Sequence, residues 1–159
     1  MTRAWISAGT NVEPERNMCA AIDNLRQVFG ELVLSPVYRT QAVGFEGDDF
    51  LNMVIGIDTD LPPDRLRGRL REIEKRLGRM RGEEKFSPRT IDLDLLTWGD
   101  LMDEAAGIPR DEILRYAFVL KPLVDVAPGE IYPGSQKTYR QLWDEHQGSD
   151  GLLRVVRLD

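Results

Sequence analysis

The chain has 159 residues, enough for one hydrophobic core of ordinary size, and its 42% hydrophobic and 30% charged residues exclude a disordered or membrane-embedded chain. Acidic residues outnumber basic ones by 27 to 21, and the net charge of −6 argues against a general binder of nucleic acid or of anionic membranes. One cysteine, Cys19, and one histidine, His146, leave no disulfide framework, no multi-cysteine zinc site and no two-histidine zinc motif, so carboxylates and arginines must carry any catalysis. No apolar run reaches the roughly 18–20 residues of a membrane span, and the first residues lack the apolar stretch of a secretory signal. A cytoplasmic protein with one domain over residues 1–159 is expected.

Arg3–Ala8 reads as a strand entering the Gly9-Thr10-Asn11 turn, where Thr10 and Asn11 are expected to cap the helix that follows. That helix opens at Pro14 and carries Met18, Ala21, Ile22, Leu25, Val28 and Phe29 on one face, with Gly30 just past its end; Cys19 is expected to be buried in it. Leu32–Thr40 reads as a second strand, residues 41–49 as a glycine-bearing loop, and Phe50–Asp58 as a third strand paired antiparallel with the second. Pro62 and Pro63 open a second helix, with Leu66, Leu70, Ile73 and Leu77 at helical spacing and Gly78 at its end. Residues 79–89 lack an apolar period and read as a loop, after which Thr90–Trp98 resumes strand alternation.

The order βαββαβ predicts an α+β, ferredoxin-like core: a mainly antiparallel sheet with two helices on one face, followed by a C-terminal extension. In that extension a short helix is expected at Asp111–Tyr116, chain breaks at Pro122, Pro128 and Pro133, a helix at Tyr139–His146 and a last strand at Leu153–Leu158.

Asp92 and Asp94 stand two residues apart on a strand, so they share a face with their side chains roughly 6.5–7 Å apart. Hard cations need such a pair, because Mg²⁺ takes one or two carboxylates and completes its shell with water and phosphate oxygens. Alternation alone favours an exposed polar strand face over a metal pair. The neighbourhood favours the metal: Arg79, Arg81, Lys85 and Arg89 directly precede the aspartates, and cations beside metal-binding carboxylates suit a polyphosphate. Paired with Glu83 and Glu84, the same cations would be only a solvated loop. No Walker A sequence is present. Phe45, Phe50 and Phe118 are by type core residues, but Asn52 shares the strand face of Phe50, and an amide beside a ring can read the edge of a heterocycle.

With these residues in view, the chain resembles the 6-hydroxymethyl-7,8-dihydropterin pyrophosphokinase family from its first strand to about Pro133. The most specific match is Pro88-Arg89-Thr90-Ile91-Asp92-Leu93-Asp94, a PRTLDLD-type signature. It is supported by Gly9-Thr10-Asn11, Tyr38-Arg39-Thr40, Phe50-Leu51-Asn52 and Phe118-Val119-Leu120 with Pro122-Leu123 and Ala127-Pro128. The resemblance implies Mg²⁺-dependent transfer of the terminal diphosphate of ATP to the pterin hydroxymethyl group, with release of AMP, in folate biosynthesis.

By position, Asp92 and Asp94 resemble the ligands of two Mg²⁺ ions, and Arg79 and Arg89 the phosphate-binding cations; these four are the implied catalytic set. Phe50 and Phe118 resemble the rings that sandwich the pterin, with Thr40, Asn52 and the backbone near Val43 at its polar edge. Arg71, Glu74, Lys85, Phe86, Arg110 and Arg115 are implied at the nucleotide. The chain departs from the family pattern at Phe86-Ser87, at Arg110 where the family has His, and at Tyr116 where it has Arg, with Arg115 displaced by one. The expected partners are ATP and a reduced pterin, with a monomeric chain. The alternative is a pterin-binding relative that is non-catalytic or has a changed acceptor.

Overall fold

The computed structural model describes residues 1–40, 49–78, 91–146 and 152–158. In chain order its elements are β1 (Thr2–Thr10), α1 (Pro14–Phe29), β2 (Val33–Leu34), β3 (Val37–Thr40), β4 (Phe50–Thr59), α2 (Pro63–Arg76), β5 (Asp92–Trp98), α3 (Glu112–Arg115), α4 (Ala117–Val126), α5 (Tyr139–Glu145) and β6 (Leu152–Val156). The sheet has strand order β5-β1-β4-β3-β6, with β2 also paired to β4, and each of these pairings is antiparallel. This is the expected α+β arrangement, in which β1 and β4 are central.

Both faces of the sheet are covered, which is why β1 and β4 read as near-continuous apolar runs rather than clean alternations. On one face Ala4, Ile6 and Ala8 of β1, Met53, Ile55 and Ile57 of β4, and Leu93 and Leu95 of β5 pack with Met18, Ala21 and Leu25 of α1 and Leu66, Leu70 and Ile73 of α2. The two N-terminal helices therefore do share a face. The C-terminal extension supplies the other layer: Trp5, Val54 and Leu96 pack with Ile113, Val119, Leu120, Leu123 and Tyr139. The Trp5 indole lies flat on Gly56, where an added Cβ would come within 2.6 Å of the ring, and its Nε1 donates to Glu130 Oε1 at 3.1 Å. Glycine is required at 56 by this close approach, not by backbone conformation.

Four sequence expectations are corrected. The stretch Leu32–Thr40 is two short strands, because Pro36 has no N–H to offer the ladder. At the break, Ser35 N–H donates to Val54 O at 3.0 Å and Val54 N–H donates to Ser35 Oγ at 2.8 Å, so Val54 keeps both bonds, one of them to a hydroxyl in place of a backbone carbonyl.

Pro122 lies inside α4 instead of ending it. Its fixed φ is compatible with a helix, and the lost N–H withholds only the i+4 donor of Phe118 O. Thr10 does not cap α1: the N-cap residue is Glu13, in the left-handed region at φ 37°, and the Thr10 hydroxyl instead closes a local turn with Val12. Cys19 is half-buried and lines a cavity of about 310 Å³ with Ile22, Leu34, Val37, Met53 and Leu158. Among the described residues no helix is long and apolar enough to cross a membrane.

Candidate active site

The expected carboxylates sit on an edge strand. Leu93 and Leu95 are held in the α1/α2 core, so alternation turns Asp92 and Asp94 to the opposite face, where both are half-buried. Their register partners on β1 are Gly9 and Ser7, and Gly9 in turn faces Asn52 on β4, which faces Tyr38 on β3. Asp92, Gly9, Asn52 and Tyr38 thus form one row across four strands, with about 4.8 Å between neighbouring strands. Since Gly9 has no side chain, the floor between the carboxylate and the amide is bare backbone. A Cβ at Gly9 would lie 2.9 Å from Asn52 Oδ1, so the glycine lets the amide lie low over the sheet.

Next to this row, Thr40 pairs with Phe50, and Asn52 Nδ2 donates to Thr40 Oγ1 at 2.8 Å. That bond fixes the amide orientation while Oδ1 stays over Gly9. Phe50 is half-buried at the start of β4. Phe118 enters the same layer from the first turn of α4, packed against the core that contains Trp5 and Val54. One face of its ring is stacked on Tyr116, with centroids 5.1 Å apart and planes 20° apart, and the Arg115 guanidinium lies 5.3 Å from the Tyr116 ring. Tyr116 is therefore a backing plate for Phe118.

Along the outer edge of β5, Glu74 of α2 is buried and its Oε2 accepts from Leu93 N–H at 2.7 Å, between the two aspartates in sequence. Three residues further, Leu96 O accepts from Arg110 N–H at 2.9 Å. The Arg110 guanidinium donates twice to Glu112, at 2.8 and 3.0 Å. Burial disfavours its charge, but the Glu112 hydrogen bonds and the charges of Asp94, Glu112 and Asp92 more than offset this. Arg110 is thereby fixed beside the aspartates. Arg115 instead turns to Asp111 at 3.2 Å and Glu112 at 3.9 Å, on the exposed side of α3. Arg71 is exposed on α2, one turn before Glu74.

Val43, Arg79, Lys85, Phe86 and Arg89 lie outside the described residues. Of the remainder, the structure brings Thr40, Phe50, Asn52, Asp92, Asp94 and Phe118 to one face, and Glu74 and Arg110 to the adjoining edge. Arg67 belongs to the basic stretch of residues 65–89, where the sequence leaves a local anion site open, but it was not among the expected site residues; it shares the Glu74 flank of α2 and feels the charge of Asp94. Its signal was the spacing 67, 71, 74 within an arginine-rich helix.

Residues 5–128 match the family described as 7,8-dihydro-6-hydroxymethylpterin-pyrophosphokinase (HPPK). The chain belongs to the HPPK family. It is 35% identical over 153 residues to the 2-amino-4-hydroxy-6-hydroxymethyldihydropteridine pyrophosphokinase of Synechocystis sp., covering 89% of this chain and 75% of that protein. To the pyrophosphokinase of the same name from Methylorubrum extorquens it is 37% identical over 140 residues, covering 84% and 88%. The crystal structure of Plasmodium falciparum HPPK-DHPS superposes on 91% of this chain with a TM-score of 0.70 at 13% identity; this chain spans 43% of that one, and the likeness concerns the fold. Membership makes the chain an enzyme of the pyrophosphokinase kind, and the site just described lies within the matched HPPK residues.

Proposed function

We propose that this chain transfers the terminal diphosphate of ATP to the hydroxymethyl group of 6-hydroxymethyl-7,8-dihydropterin, releasing AMP, as a step of folate biosynthesis. The observation that carries the reading is the row Asp92–Gly9–Asn52, which sets a pair of carboxylates beside a low-lying amide tied to Thr40. A metal site and a heterocycle-reading group then share one floor. The family match over residues 5–128 and the pyrophosphokinase relatives support the same chemistry.

Asp92 and Asp94 fit Mg²⁺. They are two half-buried carboxylates on one face of β5. That donor set suits a cation that keeps positions for water and phosphate oxygens. Two ions are proposed, which Asp92 and Asp94 would hold; bound Mg²⁺ would neutralise phosphate oxygens and raise the electrophilicity of the β-phosphorus.

The chain's own residues do the positioning. Asn52 and Thr40, with the backbone near Val43, would read the polar edge of the pterin, and Phe50 and Phe118 would hold its faces. Arg79, Arg89 and Arg110 would meet phosphate oxygens, with Arg71, Glu74, Arg115, Lys85 and Phe86 around the nucleotide. No protein base is assigned to the alcohol, since positioning and electrostatics dominate phosphoryl transfer. The test is AMP release from MgATP with and without the hydroxymethyl dihydropterin. Acceptor-dependent AMP supports the reading, and AMP formation indifferent to the acceptor contradicts it.

A further inference from the structure

We propose that Arg67, on the flank of α2 that faces the open edge of β5, is a binding residue for the phosphate chain of the nucleotide. This rests on the reading of the site as one for ATP.

The contacts of α2 fix its orientation. Leu66, Leu70 and Ile73 enter the core, Arg76 on one flank donates to Asn24 Oδ1 of α1 at 3.5 Å, and Glu74 on the other holds Leu93 N–H. With 3.6 residues per turn, Arg67 and Arg71 fall on the Glu74 flank, while Arg65 and Arg69 fall on the Arg76 flank. Arg67 is thus two turns from Glu74 along the same edge of β5 to which Arg110 is anchored through Leu96 O.

The electrostatics agree with this placement. Arg67 is half-buried; burial, then the like charges of Arg110 and Arg71, work against its charge, and Asp94 and Asp103 work for it. On the other flank Arg69 has a partner in Glu72 at 3.6 Å. Among the described residues no carboxylate lies within 4.0 Å of the Arg67 guanidinium. Arg67 thus meets the like charges of Arg110 and Arg71 without a carboxylate partner of its own among the described residues, a repulsion that falls on this one side chain. A polyanion relieves it, and guanidinium forks match phosphate oxygens. Arg67 is assigned to the phosphates through Arg110, its neighbour on this edge, which is itself proposed to meet phosphate oxygens.

Calorimetric titration of the intact protein with Mg²⁺ and the α,β-methylene analogue of ATP tests this. Arg67→Gln should bind the analogue about tenfold more weakly, the loss of one charged hydrogen-bonding group. The salt dependence of its affinity should be shallower, and Arg67→Lys should recover most of the loss. Arg65→Gln, on the other flank, should bind like the parent. Without ligand, Arg67→Gln should unfold at or above the parent temperature, since like-charge repulsion is removed; a purely structural arginine would give the opposite. Equal affinity in Arg67→Gln and parent overturns the proposal and leaves the ATP reading standing. Weaker binding with a lowered unfolding temperature and no recovery in Arg67→Lys overturns it too. Failure of the parent to bind the analogue removes both.

Discussion

Asn52 shows how a single side chain is set by its neighbours. Its amide donates to Thr40 and its carbonyl oxygen lies 2.9 Å from where a Cβ on Gly9 would be. Gly9→Ala is therefore expected to push Asn52 off Thr40 and raise the KM for the pterin severalfold while leaving that for ATP near the parent value, which steady-state kinetics with each substrate varied will check. An unchanged pterin KM would detach Asn52 from the pterin. At the aspartates, Asp92→Asn and Asp94→Asn keep the size of the side chain and remove its charge. Groups that merely orient metal ligands are worth 10–100-fold, so loss of a ligand should lower kcat/KM by more than about 100-fold. Circular dichroism should show the fold intact.

The aspartates and Asn52 were legible in the sequence because strand alternation alone puts them on a face. Arg67 was legible only in part: the spacing 67, 71, 74 puts it on one flank of α2 with Glu74, but which flank meets β5 is decided by the tertiary bond from Leu93 N–H to Glu74. Glu74→Ala leaves that N–H without its acceptor, and a loss of about 1–3 kcal/mol is expected in denaturant unfolding. Glu74→Gln retains an acceptor and should lose less.

Among the elements, α4 is the one whose position matters most for the site, because Phe118 opens it. It is tied to the sheet by the Tyr38 hydroxyl, which donates to Asp125, and Asp125 also accepts from Lys121 at 2.5 Å. Burial, and then the hydrogen bond to Asp125, holds the Tyr38 phenol above the usual tyrosine range. The neutral phenol is thus the form the fold prefers. Its contribution is complete below the unfolded-chain value of about 10 and is lost as pH rises through the higher folded value. Alkaline unfolding of the parent should accordingly steepen above pH of about 10, and Tyr38→Phe should be less stable near neutrality but less sensitive to alkali. Equal alkaline sensitivity in the two proteins would exclude this tether.

Element boundaries were readable where glycine and proline mark them, at Gly30, Pro63 and Gly78. They were misread where a tertiary bond overrides the mark. Ser35 Oγ takes over the ladder at Pro36, and α4 passes through Pro122 because its buried side packs in the second core.

For the whole molecule, a net charge of −6 and the arginines of α2 pull in opposite directions. The acidic surface argues against non-specific polyanion binding, while the β5 edge concentrates positive charge where a triphosphate is proposed to lie. The order βαββαβ conveyed the antiparallel core and the shared face of α1 and α2, since both follow from helical periodicity and short connections. It did not convey the second layer. The residues that build it, among them Trp5, Leu96 and Tyr139, are far apart in sequence, and the segments after β5 have weak periods broken by prolines. Gly56→Ala probes that layer directly: the added methyl meets the Trp5 ring, and a loss of about 1–3 kcal/mol is expected from overpacking.

The group transferred defines the reaction. Single-turnover reaction of the protein with MgATP and 6-hydroxymethyl-7,8-dihydropterin, followed by mass analysis of both products, should give AMP and a pterin carrying two phosphates in equal amounts, with neither formed by Asp94→Asn. A pterin carrying one phosphate together with ADP, or an unmodified pterin beside consumed ATP, would contradict diphosphate transfer at this site.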